Sequence, residues 1–106
     1  LDPSSNALIM EILSEAGRNA RVAEQVQAAD VLVSEAVQCL VRRSWQAKHP
    51  GQVLSDAVVV AKAEMLGAMV DGIRIRAIRN PKVNPEALLT QLRSAVRHIL
   101  EQADGS

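Results

Sequence analysis

Residues 69–81 read MVDGIRIRAIRNP, and this stretch decides the fold because it fits two incompatible structures. Asp71-Gly72 is the commonest two-residue signal for a β-hairpin turn. After it, Ile73 to Arg76 alternates apolar and charged residues, as a half-buried strand does. The same residues also continue an apolar helical stripe, in which a glycine costs about 1 kcal/mol relative to alanine.

The apolar stripe runs unbroken through the Asp-Gly pair, which favours the helix. Its members follow one another by steps of 4, 3, 4, 3 and 4 residues: Val59, Ala63, Leu66, Val70, Ile73 and Ala77. This spacing keeps one face of a helix apolar. A hairpin would need further strands for support, and no other segment alternates cleanly. The sequence therefore predicts a helix that is capped by Ser55 and reaches about Arg79.

Caps and breakers predict three further helices and their limits. The first helix begins at Asp2-Pro3 and ends at Gly17, and the second is capped by Asn19, runs from about Ala20 to about Lys48 and is stopped by His49-Pro50-Gly51. Asn80-Pro81 ends the third helix. Asn84-Pro85-Glu86 then begins the last one, and Gly105 follows it. The sequence thus predicts one all-α domain over residues 1–106, a bundle of about four helices.

The second helix has an apolar seam with the same regular spacing. Its members are Val22, Val26, Ala29, Val33, Ala36 and Leu40, and Val37, Val41 and Trp45 widen it towards the end. Such a seam is expected to face the core. We also expect the lone cysteine, Cys39, to be a small core residue, because nothing beside it in the sequence would activate a thiolate.

Composition narrows the class of protein. The chain has 106 residues, of which 48% are apolar, and equal numbers of basic and acidic residues, 12 of each. The apolar fraction predicts an ordered domain. The equal charges leave no basic excess for binding phosphates, which counts against direct DNA contact by this segment. One cysteine fits a reducing cytosol, and neither a signal peptide nor a membrane span is visible. Because the chain starts at Leu1 rather than Met, we expect a processed product or a fragment.

Motifs for catalysis and for cofactors are missing from the sequence. No HExxH, CxxC, P-loop or GxGxxG is present, and no Glu-x-x-His pair that a di-metal bundle would need. His98 is expected to be solvated, and His49 to be a turn residue. We therefore expect neither an enzyme nor a metal or cofactor site.

The third helix has apolar residues on both sides of its polar stripe. The second side carries Val58, Met65, Ala68, Met69 and Gly72. Either this is the central helix of a bundle, or one side packs inside the subunit and the other meets a partner copy or a ligand. Ala68 and Gly72 would allow close approach of another helix, from a partner or from the same chain.

The fourth helix has a similarly broad apolar face, so we expect the last two helices to form half of a four-helix dimer interface. The predicted interface residues are Val59, Leu66, Val70, Ile73, Leu88, Leu92, Val96 and Ile99.

Trp45 is the only aromatic residue in the chain. Either it closes the end of the core, or it forms one wall of a ligand pocket. The predicted pocket residues are Met10, Leu13, Val41, Trp45, Met65 and Met69, and methionines tolerate ligands of varied shape.

Two stretches resemble the TetR family of transcriptional repressors. Residues 63–100, AEMLGAMVDGIRIRAIRNPKVNPEALLTQLRSAVRHIL, resemble the last two helices of that family, with an Asp-Gly-aliphatic step, an NP loop and an amphipathic terminal helix. Residues 11–26, EILSEAGRNARVAEQV, resemble its E-A-x-R-N-P-x-V segment, with Ala20 where proline is frequent. Together they cover about half of the chain.

The resemblance implies a cytoplasmic homodimer that binds a small hydrophobic effector among its middle helices. It also implies operator binding through an N-terminal helix-turn-helix domain that lies outside this chain, with effector binding changing the separation of the two DNA-reading heads. The leading hypothesis is a ligand-responsive regulatory and dimerisation domain of a TetR-like repressor. The alternative is a small helical adaptor that binds another protein and has no small-molecule ligand.

Overall fold

The computed structural model describes residues 3–102, and these form four helices and no strand. The helices are α1 (Pro3–Ala16), α2 (Ala20–Lys48), α3 (Asp56–Arg79) and α4 (Pro85–Glu101). The all-α bundle predicted from the sequence is confirmed. The expected roles of Asp2 and Gly105 fall outside the described residues.

Residues 69–79 are helical, so the predicted helix through Asp71-Gly72 is confirmed. Both residues lie inside α3, and the helix continues to Arg79. Asn80 follows as its C-cap, donating its backbone N–H to the carbonyl of Arg76 at 2.8 Å. The cost of one glycine is thus offset by the packing of the seam around it.

Side chains cap the three later helices as predicted. Asn19 Oδ1 accepts the backbone N–H groups of Arg21 and Val22 at 3.0 and 3.4 Å. Ser55 and Asn84 do the same for the first turns of α3 and α4. Each cap satisfies amide groups that have no partner within the helix. Between α2 and α3, Gly51 has φ +81°, a conformation that glycine adopts readily because it has no Cβ.

The core lies where the end of α2 meets the start of α3. Its buried cluster consists of Val41, Trp45, Leu54 and Val59, and Val37, Val58, Leu66 and Leu100 pack against it. Val41 and Val59 are both fully buried. One α4 residue, Leu100, therefore joins α4 to the core that α2 and α3 form.

The predicted seam of α2 is wrong in its second half. Val33 is 61% exposed and Leu40 is 57% exposed, whereas Val37 and Val41 pack inwards. Neighbouring residues on a helix point about 100° apart, so packing on Val41 turns Leu40 away from the core. Cys39 is exposed as well, and the expectation that it is a core residue is wrong.

The two sides of α3 differ in the way the sequence allowed. Val59 and Ala63 are buried and Leu66 packs on the core, so the first half of the seam faces the inside of the subunit, whereas Val70 in its second half is 43% exposed. Met65, on the second side, is 54% exposed. A Cβ added to Gly72 would meet nothing within 4 Å, so no described part of the chain makes a close approach there.

Candidate functional site

A buried lysine fastens the end of α4 to the body of the subunit. The Nζ atom of Lys62 on α3 donates to the backbone carbonyls of Ile99 at 2.6 Å and Gln102 at 2.5 Å. Lys62 is only 9% exposed. The last carbonyls of a helix have no partner within it and carry the negative end of the helix dipole, so a cation is well placed there.

The same lysine lies over the ring of Trp45. The distance from Nζ to the ring centroid is 5.3 Å, within the range of a cation–π interaction. His49, the residue after α2, stacks on the ring of Trp45, and the two ring centroids are 3.9 Å apart. We call Trp45, His49 and Lys62, with the two carbonyls that Lys62 binds, the α4 clamp.

One polar atom in the α4 clamp is unsatisfied. Trp45 Nε1 is buried and has no hydrogen-bond partner among the described residues. Buried polar groups are nearly always paired, so this N–H makes the position of the indole less favourable than it could be. The predicted role of Trp45 in closing the core is confirmed, since it belongs to the buried cluster.

Two exposed ion pairs surround the α4 clamp. Arg42 pairs with Asp56 at 2.7 Å and Lys48 pairs with Glu101 at 3.5 Å. All four side chains are largely open to solvent, where such pairs contribute little to stability. They connect α2 to α3 and to α4, but the stability of the bundle depends little on them.

The predicted pocket residues are spread over the molecule. Val41 and Trp45 lie in the core, Met69 is half-buried, and Met10, Leu13 and Met65 are 40–54% exposed. The cavities described below have other linings. The set therefore stays a prediction that the fold neither assembles nor tests.

Most of the predicted dimer residues lie on half-covered helix faces. Leu66, Ile73, Leu88, Leu92, Val96 and Ile99 are half-buried, and Val70 is 43% exposed. Val59 is fully buried inside the subunit and has no surface left for a second chain. Whether the other seven meet a partner copy stays a prediction.

An apolar groove runs between the end of α2 and the second half of α4. Ala47, Leu92, Val96 and Leu100 form its apolar wall, and charged residues of α2 and α4 rim it, including Arg93. Its volume is about 520 Å³. Since Leu92 and Val96 were expected at the dimer interface, the groove is continuous with that face.

A smaller cavity of about 330 Å³ lies at the opposite end of α3. Its lining comes from α1, from the last turn of α3, and from the loop and first residue that lead into α4: Asn6, Ala7, Ala77, Ile78, Pro81, Val83 and Pro85. We call it the α1–α3 cavity. No side chain in this lining carries a charge, and Asn6 contributes the only polar one.

Asn6 is 4% exposed. Its burial was not predicted from the sequence. An asparagine in the second turn of a helix reads as a solvated residue, and only the placement of α1 against the end of α3 buries it. Lys62 was missed for the same reason, because a lysine within an apolar helix is typical of a solvated face.

No membrane-crossing helix or metal cluster is found within residues 3–102. None of the four helices is long and apolar enough to span a bilayer. No group of three His, Cys, Asp or Glu side chains comes together there in a way that could hold a metal ion.

The family model of the BetI-type transcriptional repressor C-terminal domain matches residues 1–101. The chain belongs to this family. No curated protein and no solved structure gives a significant match to it. The TetR resemblance seen in two stretches of the sequence is therefore confirmed over nearly the whole chain, and the C-terminal domains of TetR-type repressors are of a regulatory kind. TetR-type regulators act as dimers that bind DNA.

Proposed function

We propose that this BetI-type domain is the ligand-responsive dimerisation core of a TetR-like repressor, without catalytic activity and located in the cytoplasm. Operator DNA is bound by a helix-turn-helix domain outside these 106 residues, in keeping with the absence of a basic excess. The observation that carries the proposal is the apolar face of α4, which the subunit covers only in part.

Four apolar residues of α4 support a second copy as the partner. Leu88, Leu92, Val96 and Ile99 are all half-buried, although α4 contacts both α2 and α3. An amphipathic helix with this much remaining apolar area is typical of a subunit interface. Two copies related by a two-fold axis would each cover the face that the other leaves open. Val59 takes no part in the interface, because it lies in the core.

The exposed side of α3 extends the same proposal. Met65 is more than half exposed, and the backbone at Gly72 is open to approach. A helix of the partner could pack closely on this side, where glycine leaves room for it. The interface would then use the second side of α3 together with the face of α4, while Val59, Ala63 and Leu66 of the seam stay inside the subunit.

Sedimentation velocity tests dimerisation directly. At a protein concentration of tens of micromolar, we expect the wild-type chain to sediment as a dimer, with twice the 11.4 kDa mass of one chain. Val96→Asp places a charge in the apolar face and should yield a monomer with unchanged helical circular dichroism. Ser94→Asp, on the exposed side of α4, is the matched control and should stay dimeric.

A wild-type monomer at that concentration would contradict the proposal and favour the adaptor hypothesis, in which the apolar face waits for a different protein. If Val96→Asp does not fold, Val70→Asp on α3 tests the same face from an already exposed position.

A further inference from the structure

The regular apolar seam of α2 is covered near both ends of the helix and left open in the middle. At its start, Val22 and Val26 are half-buried, and Val22 lies in a groove that α2 shares with α1. Beyond its end, Ser44 and Ala47 line the groove that α2 forms with α4. The seam residues between these two places are all exposed, and we call them the open seam: Ala29, Val33, Ala36 and Leu40.

The open seam has the character of a helix contact without a helix on it. It carries no charge, and Leu32 beside it is 69% exposed. Apolar residues that follow one another by alternating steps of 4 and 3 are the pattern by which one helix packs along another. Because the seam keeps this spacing through residues that the subunit does not cover, the pattern indicates a helix from outside the subunit.

The surface of the subunit is large enough for two interfaces. The chain exposes 7730 Å², whereas a monomeric protein of 11.4 kDa exposes about 5,800 Å². A standard interface takes roughly 800 Å² from each partner, so the difference of about 1,900 Å² exceeds what one dimer contact uses. Among residues 3–102, eight of the fourteen exposed large apolar side chains lie on α1 and α2, which places the remaining area away from the α3–α4 face.

We propose that the open seam is a contact between two copies of this chain, in which their α2 helices cross in antiparallel directions about a two-fold axis between Ser34 and Glu35. This interface is separate from the dimer face proposed on α3 and α4. Where both interfaces form, two dimers join into a tetramer. The tetramer rests on the proposed function, whereas the α2 contact does not depend on it.

The open seam is complementary to itself about this axis. Val33 faces the partner's Ala36, and Leu40 faces the partner's Ala29, so each large side chain meets a small one. Residues four apart form ridges on a helix: Ala29 and Val33 make one ridge, and Leu32, Ala36 and Leu40 make the next. When ridges of this kind fit into each other's grooves, the two helices cross at about 50°.

Such a crossing keeps the partner helix clear of α1 and α4. At about 1.5 Å per residue, Val26 and Ser44 lie roughly 13 and 14 Å along α2 from the axis, and packed helices need about 8–10 Å between their own axes. The gap between α1 and α4 therefore admits one crossing helix. A second α2, with 29 residues, is too long to lie along the gap, so the steep crossing is the one that fits.

Oxidative cross-linking tests the position of the axis. Cys39 is the only cysteine, so the double variant Cys39→Ser/Ala36→Cys has one thiol in each copy, close to the axis. At several hundred micromolar protein with copper phenanthroline, we expect more than half of its chains to form disulfide-linked dimers. Cys39→Ser/Gln27→Cys is the matched control, because Gln27 is also exposed on α2 but points away from the open seam, and fewer than a tenth of its chains should be linked.

Sedimentation velocity tests the contact without any cross-link. The α2 contact is small and hence weak, so we expect the wild-type chain to form tetramers only at several hundred micromolar. Leu40→Asp places a charge in the open seam and should stay dimeric, whereas Gln27→Asp, the matched control, should still form tetramers. Val96→Asp removes only the α4 interface, so this variant should form dimers through α2 at the same concentration.

Three results would each overturn the proposal: a wild-type chain that forms no tetramer, a tetramer that Leu40→Asp leaves intact, or equal cross-linking at positions 36 and 27. The same samples separate this contact from the proposed function. A dimer lost in Val96→Asp but kept in Leu40→Asp, with no tetramer, supports the α4 interface and overturns the α2 contact. A dimer kept in Val96→Asp but lost in Leu40→Asp supports the α2 contact and contradicts the α4 interface.

Discussion

A polar residue is buried near each end of α3, and its surroundings differ between the two ends. Near its start, Lys62 is almost fully buried and forms two short hydrogen bonds to the end of α4. Near its end, Asn6 of α1 is 4% exposed and lies in the mainly apolar wall of the α1–α3 cavity. One end is closed around the Lys62 side chain, and the other borders an open cavity of about 330 Å³.

This difference distinguishes the end of α3 that stabilises the fold from the end that leaves space unfilled. A satisfied buried charge stabilises one arrangement of the helices and makes every alternative costly. At the other end an amide is buried in an apolar wall, where a leucine would pack without the cost of removing an amide from water. We therefore expect substitutions at the two ends to change stability in opposite directions.

Trp45→Ala should have the largest effect. The indole is 6% exposed and joins α2 to Lys62 and His49, so its removal leaves a cavity and deprives the lysine of its aromatic partner. Truncation of a buried tryptophan to alanine costs about 3–5 kcal/mol. Urea unfolding followed by circular dichroism at fixed protein concentration measures the loss. A loss below about 1 kcal/mol would mean that the closed end is not the stabilising one.

Lys62→Met should come next, with a loss of about 2 kcal/mol, because two charge-assisted hydrogen bonds disappear while the carbonyls stay in place. Methionine preserves most of the hydrocarbon packing of the lysine. Lys48→Met is the matched control, since it breaks only the exposed pair with Glu101 and should cost no more than about 0.5 kcal/mol. Equal losses in the two variants would show that the α4 clamp contributes no more than a surface ion pair.

Asn6→Leu should have the smallest effect on stability and the opposite sign. The change removes a buried amide from an apolar wall and adds a better helix former. We expect the free energy of unfolding to rise by about 1 kcal/mol in the same urea experiment. A loss of more than 1 kcal/mol would mean that the amide has a stabilising partner in solution.

The sequence predicted the helices well because their limits depend on local signals. Asn19, Ser55 and Asn84 cap the helices that they were expected to cap, and each does so through its own side chain. The passage of α3 through Asp71-Gly72 followed from a stripe long enough to outweigh a two-residue turn signal. Local signals of this kind need no knowledge of which helices pack together.

Packing partners were harder to predict because periodicity gives a stripe and not its neighbour. On α2, two apolar stripes overlap, and the more regular one is exposed in its second half, at Val33 and Leu40. The stripe that packs contains Val41 and Trp45, and the choice is made by where α3 lies. Lys62 and Asn6 could not be predicted for the same reason, since their burial depends on contacts between distant parts of the chain.

Because the chain has one tryptophan and neither tyrosine nor phenylalanine, its intrinsic near-ultraviolet emission comes from the closed end alone. Quenching or a wavelength shift would report on the surroundings of a single indole and its neighbours on α2 and α3. A compound that settles beneath the α3–α4 loop would leave that emission unchanged unless the disturbance travels along α4. If an optical screen finds such a response, a structural change must have passed from one end of the molecule to the other.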